Sequence, residues 1–359
     1  MKKIVYIINS IKNTGPNQVL KNMVTAIDKN KYKVFVISFM QGNKEETQKL
    51  ENSGATCICL NLKRKAEIIF RAKRKLNRVL KQINPDIVHT HGIFPDFIMI
   101  KIKEKYNTFT TLHCNILEDY PNTYGKLLGK LMILVHFYTL KKINNVITCS
   151  ESVFNAMKDK FPKNKKINFV RNGITNNIEQ NNNQDISKTI YVYSGGINKR
   201  KAVLELIQLF KLYRTKEEEL IILGTGKELE KCKEQADEGI QVLGFKENVQ
   251  EYLEKADVYI SNSKSEGMSI AIIEALENGL HLFLSKIPSH LEVFKISKEY
   301  YLGEYFEKSN FEEKINKLRS KIKKENRENI KKFQKEYLSA EAMMSEYEKI
   351  YEEKEIIER

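Results

Sequence analysis

The sequence predicts an α/β protein with two doubly wound parallel sheets. Short apolar runs, typical of buried strands, alternate with stretches of helical periodicity from the N-terminus onward. A polar stretch, residues 175–188, interrupts this alternation, and the same pattern then starts again. The chain has 359 residues, which exceeds the usual single-domain range, so two domains are expected.

The N-terminal half contains seven candidate strands: Ile4–Ile8, Val34–Phe39, Thr56–Leu60, Ile87–His89, Phe109–Leu112, Val146–Cys149 and Ile167–Val170. Helices are expected near Gln18–Asp28 and Glu45–Asn52. A third helix, over 125–142, is apolar with lysines at its ends. We expect it to pack on the N-terminal sheet, although its composition leaves open that it enters a membrane interface.

The C-terminal half contains five candidate strands: Thr189–Ser194, Leu220–Leu223, Ile240–Leu243, Val258–Ser261 and Leu282–Ser285. Between the last two lies a loop and then a helix over 270–278 that ends at Gly279. A strand, loop, helix and strand in this order form one unit of a parallel sheet, whose ligands bind where the strands end. The last stretch, 340–359, is a charged helix.

Composition excludes several classes of protein. No apolar run approaches the length of a membrane span, and the N-terminal apolar run is better interpreted as a first strand than as a signal peptide. The five cysteines are odd in number and form no C-x-x-C pair. They therefore indicate neither a disulfide framework nor a zinc site, and a reduced cytosol fits best.

The net charge of +15 requires an anionic partner or surface. Nucleic acid is disfavoured because the chain has no zinc finger, RNP-like motif or basic zipper. The run 63–81 carries nine basic residues and one acid, Glu67. Such a helix binds anionic membranes, but it is equally typical of a solvated helix face.

Two carboxylates, Glu266 and Glu274, lie eight residues apart in the loop and helix of the second half. Backbone N–H groups near Gly267, Met268 and Ser269, at the start of the helix, would favour a phosphate or pyrophosphate. An ionised Glu274 only accepts hydrogen bonds, so it can bind two neighbouring hydroxyls such as those of a ribose.

The run 261–279 resembles the E-x7-E signature of the GT4 (group 1) family of retaining glycosyltransferases, which have the GT-B fold. The resemblance implies two Rossmann-like doubly wound domains that face each other across a cleft. The first, 1–174, would bind the acceptor, and the second, 189–339, would bind the nucleotide sugar after the linker 175–188. The C-terminal helix, 340–359, would cross back to the first domain.

The start of the second domain, 193–202, resembles the family's Gly-Arg-x-x-x-x-Lys-Gly segment, with Lys201 at the Lys position. Paired glycines, Gly195 and Gly196, permit close backbone approach, and the cations after them can neutralise a diphosphate. Gly196 stands where the family usually has Arg, and Ala202 where it has Gly. Arg200 or Lys199 would then supply the missing charge.

Further positions match the family's motifs in order. Gly224 belongs to a Gly-x-Gly turn, and Gly244 and Phe245 match the segment that lines the base. In the first domain, Gly15 matches a loop that ends strand one close to where donor and acceptor meet, and Pro16 suits the first helical position.

Three histidines in the first half are candidates for the site. His113 resembles the active-site His that faces the transferred sugar, and His89 and His91 resemble a loop at the acceptor side, all expected just beyond strands. A structural role is the alternative for each. His-x-His also suits a metal, but no carboxylate–His helix motif accompanies it.

No Asp-x-Asp triplet occurs, so the resemblance implies metal-independent catalysis without a cofactor. Lys201 and the helix N-terminus would stabilise the departing diphosphate while the acceptor hydroxyl attacks from the same face. Glu266 would contact the sugar hydroxyls and Glu274 the ribose. The expected catalytic residues are His113, Lys201 and Glu266.

The resemblance predicts a retaining glycosyltransferase that moves a sugar from a nucleotide-diphospho-sugar, with UDP expected, to a lipid-linked or polysaccharide acceptor. Capsule, exopolysaccharide or lipopolysaccharide would be the product, made at the cytoplasmic face of the cell membrane by a peripheral enzyme. Two alternatives remain. One is a GT-B fold sugar-nucleotide epimerase or hydrolase. The other is a non-catalytic basic scaffold for anionic lipid or nucleic acid.

Overall fold

The computed structural model describes residues 1–62, 65–102, 106–163, 165–175, 188–322 and 326–353, with the backbone alone over 65–70. The chain divides into two compact units. Unit 1 contains residues 1–175 and 339–359, and unit 2 contains residues 176–338. Most of the expected linker, residues 176–187, lies outside the described residues, as do Lys63 and Arg64 of the basic run.

Among the described residues, thirteen strands form two parallel sheets. Unit 1 contains β1 (Lys2–Ile8), β2 (Tyr32–Ser38), β3 (Ala55–Cys59), β4 (Ile87–His91), β5 (Asn107–Leu112), β6 (Asn145–Thr148) and β7 (Ile167–Phe169). Unit 2 contains β8 (Thr189–Ser194), β9 (Glu218–Leu223), β10 (Ile240–Gly244), β11 (Val258–Ser261), β12 (His281–Ser285) and β13 (Gly303–Phe306).

The helices follow the strands in alternation. Those of the first 160 residues are α1 (Gly15–Ala26), α2 (Lys44–Asn52), α3 (Lys65–Ile83), α4 (Ile93–Met99), α5 (Ile116–Tyr124), α6 (Lys126–Lys142) and α7 (Glu151–Met157). Those of the remainder are α8 (Val203–Tyr213), α9 (Leu229–Glu234), α10 (Gln250–Lys255), α11 (Ile270–Glu277), α12 (Pro288–Ser297), α13 (Phe311–Arg319), α14 (Asn326–Tyr337) and α15 (Ala340–Glu352).

Strand order identifies the ligand-binding edge of each sheet. The order is β3-β2-β1-β4-β5-β6-β7 in unit 1 and β10-β9-β8-β11-β12-β13 in unit 2. In unit 1 the strands that follow β1 first extend the sheet on one side, as β2 and β3, and then on the other side, from β4 to β7. The strands that follow β8 in unit 2 do the same. The direction of winding therefore reverses beside β1 and beside β8. Ligands of doubly wound sheets bind at the carboxyl ends of the strands next to this reversal.

Apolar helix faces cover both sheets. In unit 1, Leu76 and Leu80 of α3 are fully buried with Val5 and Ile7 of β1. In unit 2, residues of α8 such as Leu206 pack with the strand residues of β8 and β9. The near-continuous apolar strands are typical of a sheet that is buried on both faces.

The C-terminal helix α15 belongs to unit 1, as the sequence predicts. Ser339 caps it by accepting a hydrogen bond from the Ala342 backbone N at 3.2 Å, and it bridges to Ile174 in parallel. A Cβ on Gly173 would lie 2.1 Å from the Ser339 carbonyl O, so only glycine permits this close approach. The expected helical residues 354–359 lie outside the described chain.

Two local predictions need correction, and one strand was missed. Gly15 does not end the first strand, because β1 already ends at Ile8 and a loop precedes α1. His89 and His91 lie inside β4 rather than beyond it, because the apolar and threonine residues around them complete a buried strand. The strand β13, with Glu304 among apolar residues, was not predicted.

The helix α6 was expected to pack on the N-terminal sheet; in the structure one of its faces is buried, mainly against the helices α5 and α4. Gly129, His136, Thr139 and Leu140 are buried on that face. The opposite face exposes several large apolar side chains. Among the described residues, no helix is both long enough and apolar enough to cross a bilayer.

Candidate functional site

Three loops of unit 2 meet at the carboxyl ends of β8, β9 and β10. The Gly195 backbone N donates to the Leu223 carbonyl at 3.0 Å, and the Gly224 backbone N donates to the Gly244 carbonyl at 2.8 Å. A Cβ on Gly224 would lie 1.8 Å from the Gly195 carbonyl O. Backbone thus packs directly on backbone, which explains why the sequence has glycine at these positions.

The predicted acid and cations of unit 2 come together beside these loops. Nη1 of Arg200 donates to Oε2 of Glu266 at 3.0 Å and to the Ser265 carbonyl at 2.6 Å. Lys201 Nζ donates to the other carboxylate oxygen of Glu266. The Glu266 side chain is only 8% exposed, so this is a largely buried cluster of one anion and two cations.

The charges in this cluster determine the protonation of Glu266. Burial alone would raise the pKa of its carboxyl group, but the neighbouring Lys201 and Arg200 outweigh burial and lower that pKa to about 2. Glu266 is therefore an anion at neutral pH and can accept hydrogen bonds from hydroxyl groups.

Arg200, rather than Lys199, occupies the position from which a side chain reaches the cluster. Lys199 is exposed, whereas Arg200 is half-buried and contacts Glu266. Gly196 lies between the strand and these cations, and its carbonyl O accepts a hydrogen bond from the Tyr193 hydroxyl at 2.9 Å. Arg200 thus places a guanidinium in the cluster although position 196 is a glycine.

The helix α11 begins beside Glu266. Ser269 is its N-cap residue with extended backbone and makes no side-chain cap, and Met268, just before it, is buried. Glu274 lies on the second turn of the same helix; it is half-buried, and burial raises the pKa of its carboxyl group. The helix ends at Glu277, with Gly279 in the left-handed region at φ +73°.

Two predicted positions are less integrated into this cluster. Phe245 follows Gly244 directly and is 59% exposed, so its ring is free to receive a planar ligand. Gly15 is the first residue of α1 in unit 1, and the other predicted donor-binding residues lie in unit 2.

Unit 1 contains a cavity of about 330 Å³ at the carboxyl ends of β1, β4 and β5. Its walls combine polar side chains with apolar ones, as in most small-molecule sites. The polar and ionisable wall residues include Asn9, Lys12, Thr14, Asn17, His91, Thr111, His113, Cys114, Tyr120 and His136.

His113 and His91 form a pair in this cavity wall. Nε2 of His113 and Nδ1 of His91 lie 2.9 Å apart, and the rings stack with centroids 5.2 Å apart. Within the described residues, Nδ1 of His113 and Nε2 of His91 are buried without a hydrogen-bond partner. Burial lowers the pKa of His113 to about 4 and, with the neighbouring histidines, that of His91 further below its usual value. Both imidazoles are therefore neutral at pH 7.

His89 has a different environment. Its Nδ1 lies 2.6 Å from the Tyr351 hydroxyl of α15, and its Nε2 lies 2.8 Å from the Thr111 hydroxyl. Both ring nitrogens are thus used within the protein, and burial lowers the pKa of His89 to about 3. The geometry favours the structural role for this histidine.

The family comparisons agree with this geometry. The family described as Glycosyl transferases group 1 matches residues 175–337, and Glycosyltransferase Family 4 matches residues 14–177. The two matches together extend over most of the chain. The chain belongs to the group 1 glycosyltransferases.

Similar proteins include two from surface-glycan pathways. The O-antigen biosynthesis glycosyltransferase WclY of Escherichia coli is 25% identical over 81% of this chain and 82% of its own length. The capsular polysaccharide biosynthesis glycosyltransferase CapH of Staphylococcus aureus is 25% identical over 87% of this chain and 86% of its own. The solved structure of Anabaena HepE in complex with UDP-glucose has a TM-score of 0.80 at 13% identity, over 98% of this chain and 100% of its own. This structural likeness identifies the fold as GT-B.

The structure of this glycosyltransferase adds residues that sequence reasoning missed. The Tyr259 hydroxyl donates to the Ser194 carbonyl at 3.1 Å, and burial together with the nearby charges of Glu266 and Glu274 raises the pKa of that hydroxyl. His290 is buried near Glu266, with Nδ1 2.8 Å from the Ser285 carbonyl O and, among the described residues, Nε2 unpartnered. The sequence signal that could have identified His290 is its place as a polar residue soon after the end of β12.

A second missed feature is a buried network of hydrogen bonds at the wall of the unit 1 cavity. Nε2 of His136 lies 3.1 Å from the Asp96 carboxylate, and its Nδ1 lies 2.8 Å from the Tyr120 hydroxyl. Asp96 also accepts a hydrogen bond from the Thr90 hydroxyl. This network joins α4, α5 and α6 of the glycosyltransferase, and it holds the side chains of Tyr120 and His136, which line the cavity.

Metal ligation was one alternative for the histidines. Across the described ranges, no group of three or more His, Cys, Asp or Glu side chains is arranged to hold a metal ion. The ring nitrogen of His91 nearest to His113 is instead engaged with that residue.

Proposed function

We propose that this glycosyltransferase moves a sugar from a UDP-sugar to a lipid-linked glycan acceptor, with retention of the anomeric configuration and without a metal ion. The product would be a surface glycan of the O-antigen or capsule type, made at the cytoplasmic face of the cell membrane. The observation that carries this proposal is the buried cluster of Glu266, Arg200 and Lys201 beside the N-terminus of α11.

The cluster has the chemistry that a departing nucleoside diphosphate requires. Arg200 and Lys201 present two positive charges at the carboxyl end of β8, and the α11 N-terminus adds a partial positive charge. Positioned cations of this kind stabilise the charge that develops on the leaving group. They make a bound divalent ion unnecessary for that purpose, and no cofactor is needed.

The two acids would have separate roles. Glu266 is ionised because its pKa is about 2, so it would accept hydrogen bonds from hydroxyls of the donor sugar. Glu274 lies on the second turn of α11 and would accept hydrogen bonds from the ribose hydroxyls. Gly224, Gly244 and Phe245 would line the base and ribose, Gly195 and Gly196 would admit the diphosphate, and Gly267, Met268 and Ser269 would contact its oxygens through backbone N–H groups.

The cavity of unit 1 would hold the acceptor. His113 would face the transferred sugar, and its contact with His91 holds the orientation of its ring. Because both rings are neutral at pH 7, His113 can offer a nitrogen lone pair or an N–H to a hydroxyl without carrying a charge. Gly15 lies between Thr14 and Pro16, two residues of the cavity wall, and would approach the acceptor through its backbone.

The relatives support the choice of donor and product class. The names of WclY and CapH place those proteins in O-antigen and capsular polysaccharide biosynthesis. HepE, which shares the fold, was solved with UDP-glucose bound. A lipid-linked acceptor and a peripheral enzyme are what the family resemblance of the sequence implies, and we propose them on that ground.

Product analysis tests the proposal. The enzyme is incubated with UDP-, GDP- and ADP-sugars in EDTA, with lipid-linked glycans extracted from membranes, and the anomeric configuration of the product is measured by NMR. We expect transfer from a UDP-sugar with retention. Glu266→Gln should reduce kcat by about a hundredfold or more, because a contact made in the transition state is lost.

A matched control is Glu230→Gln, which changes a 76%-exposed acid of unit 2 and should leave kcat unchanged. An inverted product would contradict the retaining mechanism. Accumulation of an epimerised nucleotide sugar, or of free sugar with no transfer to any acceptor, would favour the epimerase or hydrolase instead.

A further inference from the structure

The helix α6 exposes a continuous apolar face, here called the leucine face. It consists of Leu127, Leu128, Leu131, Leu134, Val135 and Tyr138, and it continues into Tyr124 at the end of α5. Exposed fractions along it range from 38% at Val135 to 88% at Leu127. Positions three and four residues apart share one side of a helix, so these side chains form one surface and not scattered exposures.

The opposite side of α6 is buried within unit 1. His136 is 2% exposed and bonded to both Asp96 and Tyr120. A Cβ on Gly129 would lie 2.6 Å from the Pro121 backbone, so the two helices α5 and α6 cross in close contact. The leucine face is therefore a fixed part of the unit, because the buried side of the helix prevents it from rotating inward.

The charges around the leucine face have one sign. The helix α6 contains no Asp or Glu, and its four lysines, Lys126, Lys130, Lys141 and Lys142, are all exposed. Lys142 donates to the Tyr138 hydroxyl at 2.7 Å. The acids of α5, Glu118 and Asp119, lie in its first turn, away from the end that joins α6.

This combination identifies the occupant. Protein–protein interfaces are depleted in lysine at their cores, and leucine and valine are rare among their strongest contacts. Helices that lie on a bilayer have the opposite pattern, with leucines in the acyl boundary, lysines at the headgroups and aromatic side chains at the edge. Tyr124 and Tyr138 lie near the two ends of the leucine face.

We propose that the leucine face inserts into the interfacial layer of an anionic lipid bilayer, with the lysines of α6 against the headgroups. The proposal rests on the proposed function for its purpose, since a lipid-linked acceptor is reached at a membrane. It also assigns the insertion to α6 and not to the basic run 63–81, because the leucines in the described part of that run, Leu76 and Leu80, are fully buried.

The arrangement links the bilayer to the acceptor cavity through one helix. His136, on the buried side of α6, lines the cavity, and the leucine face lies on the other side of the same helix. Insertion of α6 would therefore hold the wall of the cavity at a fixed depth relative to the headgroups, where the glycan of a lipid-linked acceptor begins.

Vesicle co-sedimentation of the full chain tests this. Phosphatidylglycerol vesicles and phosphatidylcholine vesicles are compared for the wild type, for the double variant Leu131→Glu with Leu134→Glu, and for Leu212→Glu. Leu212 is 70% exposed on α8 of unit 2, so it controls for adding an acid at an exposed leucine. The double variant should lose about tenfold or more of its partition coefficient on anionic vesicles, and the control should bind like the wild type.

The salt dependence separates insertion from charge alone. Binding through charges alone would vanish at high salt, whereas inserted leucines keep part of it. A double variant that binds as well as the wild type would overturn the proposal, and so would a wild type that binds no vesicle. A dimer seen by sedimentation velocity for the wild type and abolished in the double variant would overturn it in favour of a second copy of the chain.

UDP titration of the same proteins distinguishes this proposal from the proposed function. UDP binding without vesicle binding would remove the membrane surface and leave the donor site. Vesicle binding that depends on the leucine face, without binding of any nucleotide, would support the membrane surface and remove the proposed donor. Thermal unfolding of the variants confirms that the exposed substitutions leave the fold intact.

Discussion

The guanidinium of Arg200 lies 3.0 Å from the carboxylate of Glu266 in a site where Glu266 is only 8% exposed. Together with Lys201 it lowers the pKa of an acid whose pKa burial alone would raise. The same two cations are the groups we assign to the diphosphate. In the proposed mechanism the carboxylate would hold the cations in place until the diphosphate binds, and it would remain ionised to accept hydroxyl hydrogen bonds.

The first prediction concerns stability and pH at this cluster. The folded-state pKa of Glu266 is about 2, below its ordinary value of 4.5, so its contribution is present above pH 4.5 and is lost as the pH falls toward 2. Relative to Glu266→Gln, the wild type should have a free energy of unfolding higher by about 3 kcal/mol at neutral pH. Urea unfolding of both proteins at several pH values measures the difference, and a pH-independent difference would contradict the assignment.

The second prediction concerns the buried histidines of unit 1. His89, His91 and His113 have folded-state pKa values below 6.5, so the unfolded chain binds more protons and stability is lost as the pH falls from 6.5 toward 4. Each contributes a slope of up to about 1.4 kcal/mol per pH unit in that window. His89→Gln can still bond Tyr351 and Thr111, and its slope should be smaller by about that amount. Equal slopes for variant and wild type would show that His89 binds its proton as readily in the folded protein as in the unfolded chain, which would contradict a lowered pKa.

The third prediction tests the meeting of the glycine loops in unit 2. A Cβ at Gly224 would lie 1.8 Å from the Gly195 carbonyl O, and φ at Gly224 is +137°. Gly224→Ala should therefore lower the free energy of unfolding by about 2 kcal/mol or more and weaken UDP binding, since the loops must separate. Gly15→Ala is the control, because nothing lies within 4 Å of its Cβ position. Similar stability losses for the two variants would mean that the loops do not pack as described.

The fourth prediction concerns the attachment of α15 to unit 1. Tyr351→Phe removes the hydroxyl that lies 2.6 Å from Nδ1 of His89 and leaves a buried polar atom without its partner. The expected loss in free energy of unfolding is about 1–3 kcal/mol. Tyr305→Phe, at a 39%-exposed tyrosine of unit 2, should change stability little. A Tyr351→Phe variant with the same free energy of unfolding as the wild type would show that His89 finds another partner.

The sequence predicts the sheets well because buried parallel strands are nearly continuous apolar runs. All twelve strand segments proposed from the sequence overlap strands of the structure. The strand β13 was missed because it has four residues, one of them Glu304, so its pattern has too little periodicity to be distinguished from a loop.

The candidate site was predictable where a motif fixes the spacing along the chain, as for Glu266 and Glu274. It was not predictable where contacts join distant segments. Asp96 and His136 are 40 residues apart, and the residues around them gave no hint of a pair. The leucine face was hidden for another reason. Apolar residues occur on all sides of the helix α6, so its periodicity does not reveal which side is buried.

The most direct test of the central claim is calorimetric titration of UDP, GDP and ADP into wild type and Glu274→Ala, with EDTA present. We expect micromolar binding of UDP to the wild type. The variant should bind at least about tenfold more weakly, since a carboxylate that accepts two hydroxyl hydrogen bonds is removed. UDP binding that needs a divalent metal, or that is unchanged in Glu274→Ala, would contradict the account of the donor site.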